Sequence, residues 1–263
     1  MYPELIPGLP IQTFGAMIAA GILISWKVVE KLWKGRDLST LVFILVIAGI
    51  AGGRIAHVVE YWSEDGFGDD FASVFAVWKG GLVFYGGLAA AVLAFAAWCV
   101  AKKPDVLALL DVLAVGVPLG HAFGRIGCFC YGCCWGRLSD SIFAVAFPSG
   151  SPVWCSQVRD GLIARTAAHS LPVLPTQLFE SAFLFALFAL LLWLYRRKRA
   201  FTAATYLVGY GLWRFAIEFL RDDARPSALG LSSAQLFSIP LVVAGLVVLI
   251  WSIKEHGRRS SYN

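Results

Sequence analysis

Apolar runs of about 20 residues, each long enough to cross the hydrocarbon core of a bilayer, recur along almost the whole chain. They cover Ile11–Val29, Leu38–Val59, Leu82–Ala101, Val106–Phe123, Leu178–Tyr195, Thr202–Leu220 and Ser233–Ile253. So many runs leave too little polar surface to wrap a water-soluble core. The chain is 59% hydrophobic and 15% charged, against about 45–50% and about 25% in a soluble domain. These features predict an all-α integral membrane protein with seven transmembrane helices in one polytopic domain spanning residues 1–263. The first run lacks a basic leader and is too long for the core of a signal peptide, so it is read as a span.

Basic residues predict the orientation. Lys27, Lys31, Lys34 and Arg36 follow the first span, and Lys102 and Lys103 the third. Arg196, Arg197, Lys198 and Arg199 follow the fifth, and Lys254, Arg258 and Arg259 the seventh. Every group follows an odd-numbered span, and positive residues stay cytoplasmic. The N-terminus is therefore expected outside and the C-terminus inside. The basic balance reports this orientation and gives no reason to expect nucleic-acid binding. Two stretches then fall outside: Tyr61–Lys79, with Trp62 and Trp78 as interfacial anchors, and a small external cap at 137–174.

Some charges do not fit a plain bundle. Arg54 and Arg214 lie inside apolar runs, and Arg125 sits at the outer end of the fourth. A mid-bilayer arginine costs about 2.5–3.5 kcal/mol even on insertion scales, so such residues face protein or water and are usually functional. One reading is buried ion pairing, Arg214 with Glu218 one turn on and Arg54 with Glu60 through His57. The other is anion binding, since converging guanidiniums with His121, Glu180 and Glu218 nearby suit a phosphate. Glycines add a second pattern. Gly116, Gly120 and Gly124 form a small-residue ridge suited to close helix packing. The pairs Gly80–Gly81 and Gly86–Gly87 suggest a broken start to the third span, tolerated where it is buried or lines a cavity.

These residues fall in segments that resemble prolipoprotein diacylglyceryl transferases of bacterial cytoplasmic membranes. The likeness runs from about Thr13 to Gly245, in the family's order. TFGAM at Thr13–Met17 is similar to its first span, and GGLVFYGGL at Gly80–Leu88 to its glycine-flanked histidine motif. GRIGCFCYGCCWGR at Gly124–Arg137 resembles its signature, and PTQLFE at Pro175–Glu180 its next element. YGLWRFAIEFLR at Tyr210–Arg221 and QLFSIP at Gln235–Pro240 match its late spans. The resemblance implies transfer of a diacylglyceryl group from phosphatidylglycerol to a cysteine thiol near a prolipoprotein's signal segment, with no cofactor. It places Arg125 and Arg214 on the headgroup phosphate, with Glu218 orienting Arg214 and Tyr210 hydrogen-bonding nearby. Glu180 and Gln177 would support them, and Phe14, Arg54, Gly86 and Gly87 belong to the expected substrate site.

The chain departs from the family pattern at three sensitive positions. The motif histidine is Tyr85, the signature asparagine is Cys128 and the signature glutamate is Cys133; Phe14 also replaces a tyrosine. A tyrosine with an ordinary pKa near 10 is a poor base at neutral pH, and His121, one turn before Arg125, is an alternative. Cys128, Cys130, Cys133 and Cys134 crowd the outer end of span four. An external site permits disulfides, within the cluster or to Cys155. Thiolate density alone allows a metal, but the spacing is no standard zinc pattern and carries no histidine pair, so no metal is assigned. A thiol beside arginines would instead have its thiolate favoured and act as a nucleophile. Two other readings stay open. One is a phospholipid-binding paralogue without the reaction; the other is a membrane thiol–disulfide protein built on the cysteine cluster.

Overall fold

The computed structural model describes residues 12–33, 38–63, 67, 70–77, 80–197, 201–222, 227–228 and 230–260, with side chains to 250. Ile11, Lys34, Arg36, Trp78, Lys79, Lys198 and Arg199 lie outside the described residues, as do the side chains of Lys254, Arg258 and Arg259. Eight α-helices are described: α1 Thr13–Leu32, α2 Ser39–Glu60, α3 Phe84–Lys102, α4 Val106–Tyr131, α5 Pro152–Arg159, α6 Thr176–Arg196, α7 Thr202–Ile217 and α8 Ser233–Ser260. A minimal antiparallel pair, β1 Ser227–Ala228 and β2 Leu231–Ser232, precedes α8. Among the described residues, α1, α2, α3, α4, α6 and the Ser233–Ile250 part of α8 are long and apolar enough to cross a membrane. The chain is therefore a multi-pass membrane protein. Helix α7 is only 16 residues long before a 3₁₀ turn, Glu218–Leu220, completes the expected run.

The chain divides into two compact units, one built from 30–109 and the other from 1–29 with 110–263. In the smaller unit α2 and α3 pack backbone to backbone. A Cβ on Gly86 would collide with Ala56, and would lie 2.6 Å from the Gly52 carbonyl. The stretch before α3 is extended, as the glycine pairs suggest: Val83 has φ −87° and ψ 119°, and its N–H donates to the Gly53 carbonyl at 3.0 Å. Its other faces carry exposed Phe84, Val92, Leu93 and Val100, which lipid would solvate at no cost.

In the larger unit the glycine ridge of α4 meets α1. A Cβ on Gly120 would come 3.0 Å from Ser25 Oγ, and one on Gly116 would strike Val29. Gly124, by contrast, faces open space. An acid in this span, Asp111, is explained by capping α7. Its Oδ1 accepts from the Ala203 N–H at 2.8 Å and the Thr202 hydroxyl at 3.0 Å, which satisfies orphan donors at that helix start. Helix α4 runs to Tyr131, eight residues past the run's expected end at Phe123, so Arg125 sits within the helix rather than at its tip.

The 132–174 segment has its own small core of Phe147, Val153 and Val173. Ser151 caps α5 by accepting from the Trp154 N–H, with Pro152 preset for the first turn. Three strands of chain cross at Gly136. Its N–H donates to Leu174, the next N–H to Leu220, and a Cβ there would lie 2.6 Å from the Leu220 carbonyl.

Candidate active site

The larger unit gathers most of the residues singled out in the sequence. Pro175 cannot continue a helix from the preceding segment, and α6 starts at Thr176 with three polar side chains that are fully enclosed. Thr176 Oγ1 donates to the Cys134 carbonyl at 2.8 Å, and Gln177 Nε2 to the Cys133 carbonyl at 2.6 Å. One turn on, Glu180 is 0% exposed and serves as the hub of the site. Its Oε2 lies 3.0 Å from Arg125 Nε, and its Oε1 accepts from the Tyr210 hydroxyl at 3.2 Å and lies 3.9 Å from His121 Nε2. Three helices, α4, α6 and α7, thus converge on one carboxylate. The His121 and Tyr210 rings meet edge to face at 5.1 Å, and Tyr206 stacks on Tyr210.

A second ion pair lies one turn along α7. Arg214 Nη1 is 2.7 Å from Glu218 Oε2, with both side chains nearly enclosed. Arg221 joins the same carboxylate at 3.9 Å, its side chain only 2% exposed. Sequence reading did not single out Arg221 as a site residue. Its signal was its spacing three residues after Glu218, which keeps the two on one helical face. Glu180 meets Arg125 through Nε and Glu218 meets Arg214 through Nη1, so each carboxylate positions a guanidinium whose five N–H donors form a planar fork suited to an anion. Burial makes each pair costly to break.

Beside these arginines three thiols converge. Sulfurs of Cys128, Cys133 and Cys134 all lie within 4.8 Å of one another. Cys128 is one turn past Arg125 on the same face of α4. After the helix ends, Gly132 at φ +84° and Cys134 at φ +65° turn the chain, which brings the two adjacent cysteines back toward Cys128. A left-handed cysteine costs about 1–2 kcal/mol. Cys134 is drawn well below the usual thiol range by hydrogen bonds from Cys128 and Cys133, helped by the charges of Arg221 and Arg125. Cys133, whose thiol donates to the Cys128 carbonyl at 3.8 Å, is pushed up by hydrogen bonding to Cys128 and Cys134 and by burial. All six cysteines are free thiols here, and neither Cys130 nor the exposed Cys155 belongs to the trio.

The remaining expected residues lie elsewhere. Phe14, on α1, packs beside Gly127 of α4 in the larger unit. Arg54 belongs to the smaller unit and commits its guanidinium to carbonyls of Ser73, Val74, Gly80 and Gly81 at 2.6–3.0 Å. It clamps the loop before α3 and, among the described residues, makes no ion pair with Glu60. Gly81, at φ +76°, must lack a side chain because a Cβ would strike His57 and Arg54. A cavity of about 450 Å³ opens beside Arg54, His57 and Asp70. Gly86 and Gly87 are spent on the α2 contact, and Tyr85 is half-exposed at the start of α3, edge-on to Phe84.

Comparison with known proteins gives this arrangement a family. A profile described as prolipoprotein diacylglyceryl transferase matches residues 3–251. A phosphatidylglycerol–prolipoprotein diacylglyceryl transferase of Paraburkholderia phymatum is 35% identical over 87% of this chain and 81% of its own. One from Clostridium perfringens, the second of that name, is 32% identical over 97% and 95%, and one from Pseudomonas aeruginosa is 32% identical over 97% and 96%. A profile match over nearly the whole chain, with relatives above 30% identity covered in both directions, shows that the chain belongs to the prolipoprotein diacylglyceryl transferase family.

Proposed function

We propose that this chain transfers a diacylglyceryl group from phosphatidylglycerol to a cysteine thiol of a prolipoprotein, at the bacterial inner membrane. The thiol sulfur attacks the glyceryl carbon, the carbon–oxygen bond to phosphate breaks, and glycerol phosphate leaves. Arg125 and Arg214 hold the phosphate and stabilise the charge that grows on it, a task suited to fixed donors in a site shielded from water. Glu180 and Glu218 aim those guanidiniums, and Tyr210 braces Glu180. The observation that carries the reading is the Glu180 hub, which sets Arg125, His121 and Tyr210 around one enclosed carboxylate in a chain of this family.

The wider arrangement follows from the same reading. The protein has seven spans, with α7 and its 3₁₀ turn as the sixth, the N-terminus outside and the C-terminus cytoplasmic. The 137–174 segment caps the external face, where the signal segment of the prolipoprotein docks. Mass spectrometry of a lipobox peptide incubated with the purified protein and phosphatidylglycerol tests the reaction. A diacylglyceryl adduct is expected from the parent chain and none from Arg125→Ala or Arg214→Ala, each of which still inserts. An unmodified peptide with lipid bound would instead mark a phospholipid-binding relative without the reaction.

A further inference from the structure

The transfer needs a thiolate, because the thiol itself is a weak nucleophile. We propose that Cys128, Cys133 and Cys134 hold a zinc ion with its fourth position open, and that this position takes the acceptor cysteine as a thiolate. The proposal rests on the reaction assigned above and departs from the sequence reading, which assigned no metal.

Geometry favours three ligands. A tetrahedral zinc with bonds of about 2.3 Å sets its sulfurs about 3.8 Å apart, and these three thiols already lie within 4.8 Å of one another. A disulfide uses the same groups poorly. Any bridge within the trio leaves one thiol over, and adjacent cysteines, with Cα atoms about 3.8 Å apart, fall short of the usual disulfide span. Linear spacing hid the site because Cys133 and Cys134 reach Cys128 only through the reversal at Gly132 and the left-handed turn at Cys134.

Two further observations point to an incoming ligand. A cavity of about 490 Å³ opens on Cys133, Cys134, Trp135 and Pro152, so a fourth ligand has room to approach. Sites with three protein ligands and an accessible fourth position are the catalytic kind. Beside it, Gln177 is 0% exposed and its Nε2 is fixed on the Cys133 carbonyl, while its Oε1 has no hydrogen-bond partner among the described residues. That orphan acceptor suits a backbone N–H of the arriving peptide.

The chemistry balances without an oxidant. The acceptor thiol binds zinc and releases its proton to water, as coordinated thiols do. Its sulfur forms the bond to the glyceryl carbon, and the electrons of the breaking carbon–oxygen bond leave on phosphate held by Arg125, one turn from Cys128. The product thioether is neutral, binds zinc weakly and departs.

The test uses the full chain, purified reduced in detergent and loaded with zinc alone. About one zinc per chain is expected after desalting, with a loss of tenfold or more in Cys128→Ser and Cys133→Ser and retention in Cys99→Ser. Cadmium in place of zinc reports sulfur ligands on the parent protein directly, so a variant that fails to fold does not decide the matter. Its thiolate charge-transfer absorption should rise by roughly a third when the cysteine of a lipobox peptide adds a fourth sulfur, and stay constant with the same peptide carrying serine in place of that cysteine. Chelation should abolish transfer and zinc restore it. Transfer that proceeds without zinc, or a disulfide within the trio of the active protein, overturns this proposal and leaves the reaction standing. A constant cadmium spectrum overturns it as well. A metal-loaded protein that gains the fourth sulfur yet never alkylates the peptide overturns the reaction itself, and with it the role given to the metal.

Discussion

Glu180 is the residue whose loss should cost most. Replacing it by Gln keeps an acceptor for Tyr210 but leaves Arg125 charged and enclosed without its partner, and breaking a buried pair costs about 3–5 kcal/mol. Glu180→Gln should therefore unfold at markedly lower denaturant in detergent and lose lipid transfer, whereas Tyr210→Phe removes one hydrogen bond to a charged group and should cost about 1.5–3 kcal/mol. Comparing the two unfolding midpoints checks the order. Much of this site was legible in the sequence. Arg125, Arg214 and Glu218 stood out because charges in apolar runs demand an explanation, and the Arg214–Glu218 pair followed from a one-turn spacing. Glu180 was read as a supporting residue because its role depends on where α6 meets α4 and α7. Tertiary contacts of that kind leave no local mark. The thiol trio was hidden for the same reason, since two residues of positive φ decide which way the cysteines face.

Among the elements, the α2–α3 hairpin shows an arginine holding backbone in place: four N–H donors of Arg54 go to the loop carbonyls between residues 73 and 81. Arg54→Ala should release that loop. Hydrogen exchange read by mass spectrometry should show faster exchange over 73–83 with little change in α6 or α7. The glycine pair at 86–87 serves packing as well. Gly86→Ala places a methyl against the Gly52 carbonyl and Ala56 side chain, and overpacking of this kind costs about 1–3 kcal/mol. Thermal unfolding of the variant in detergent measures it. Helix limits followed the apolar runs closely except at two ends: α8 continues seven residues past Ile253 to Ser260, and α4 continues through Arg125 and Cys128 into a polar, cysteine-rich end that hydropathy alone does not extend.

For the whole molecule the central prediction is topological. Cys155 is exposed in the segment assigned to the external face, and Cys99 lies near the end of α3 assigned to the cytoplasm. A membrane-impermeant maleimide applied to intact cells should label a variant retaining Cys155 alone and spare one retaining Cys99 alone. Labelling of Cys99 from outside would reverse the orientation. The sixth span shows the limit of reading by length: α7 has 16 helical residues, and the 3₁₀ turn after it brings Glu218 and Arg221 to one side. The hub at Glu180 has a consequence for synthesis. The ribosome completes Arg125 long before it reaches Glu180, and Tyr210 comes later still. For that interval α4 carries a charge without its partner, which opposes release into lipid. The nascent helix is therefore expected to stay beside the insertion machinery until its partner helices emerge.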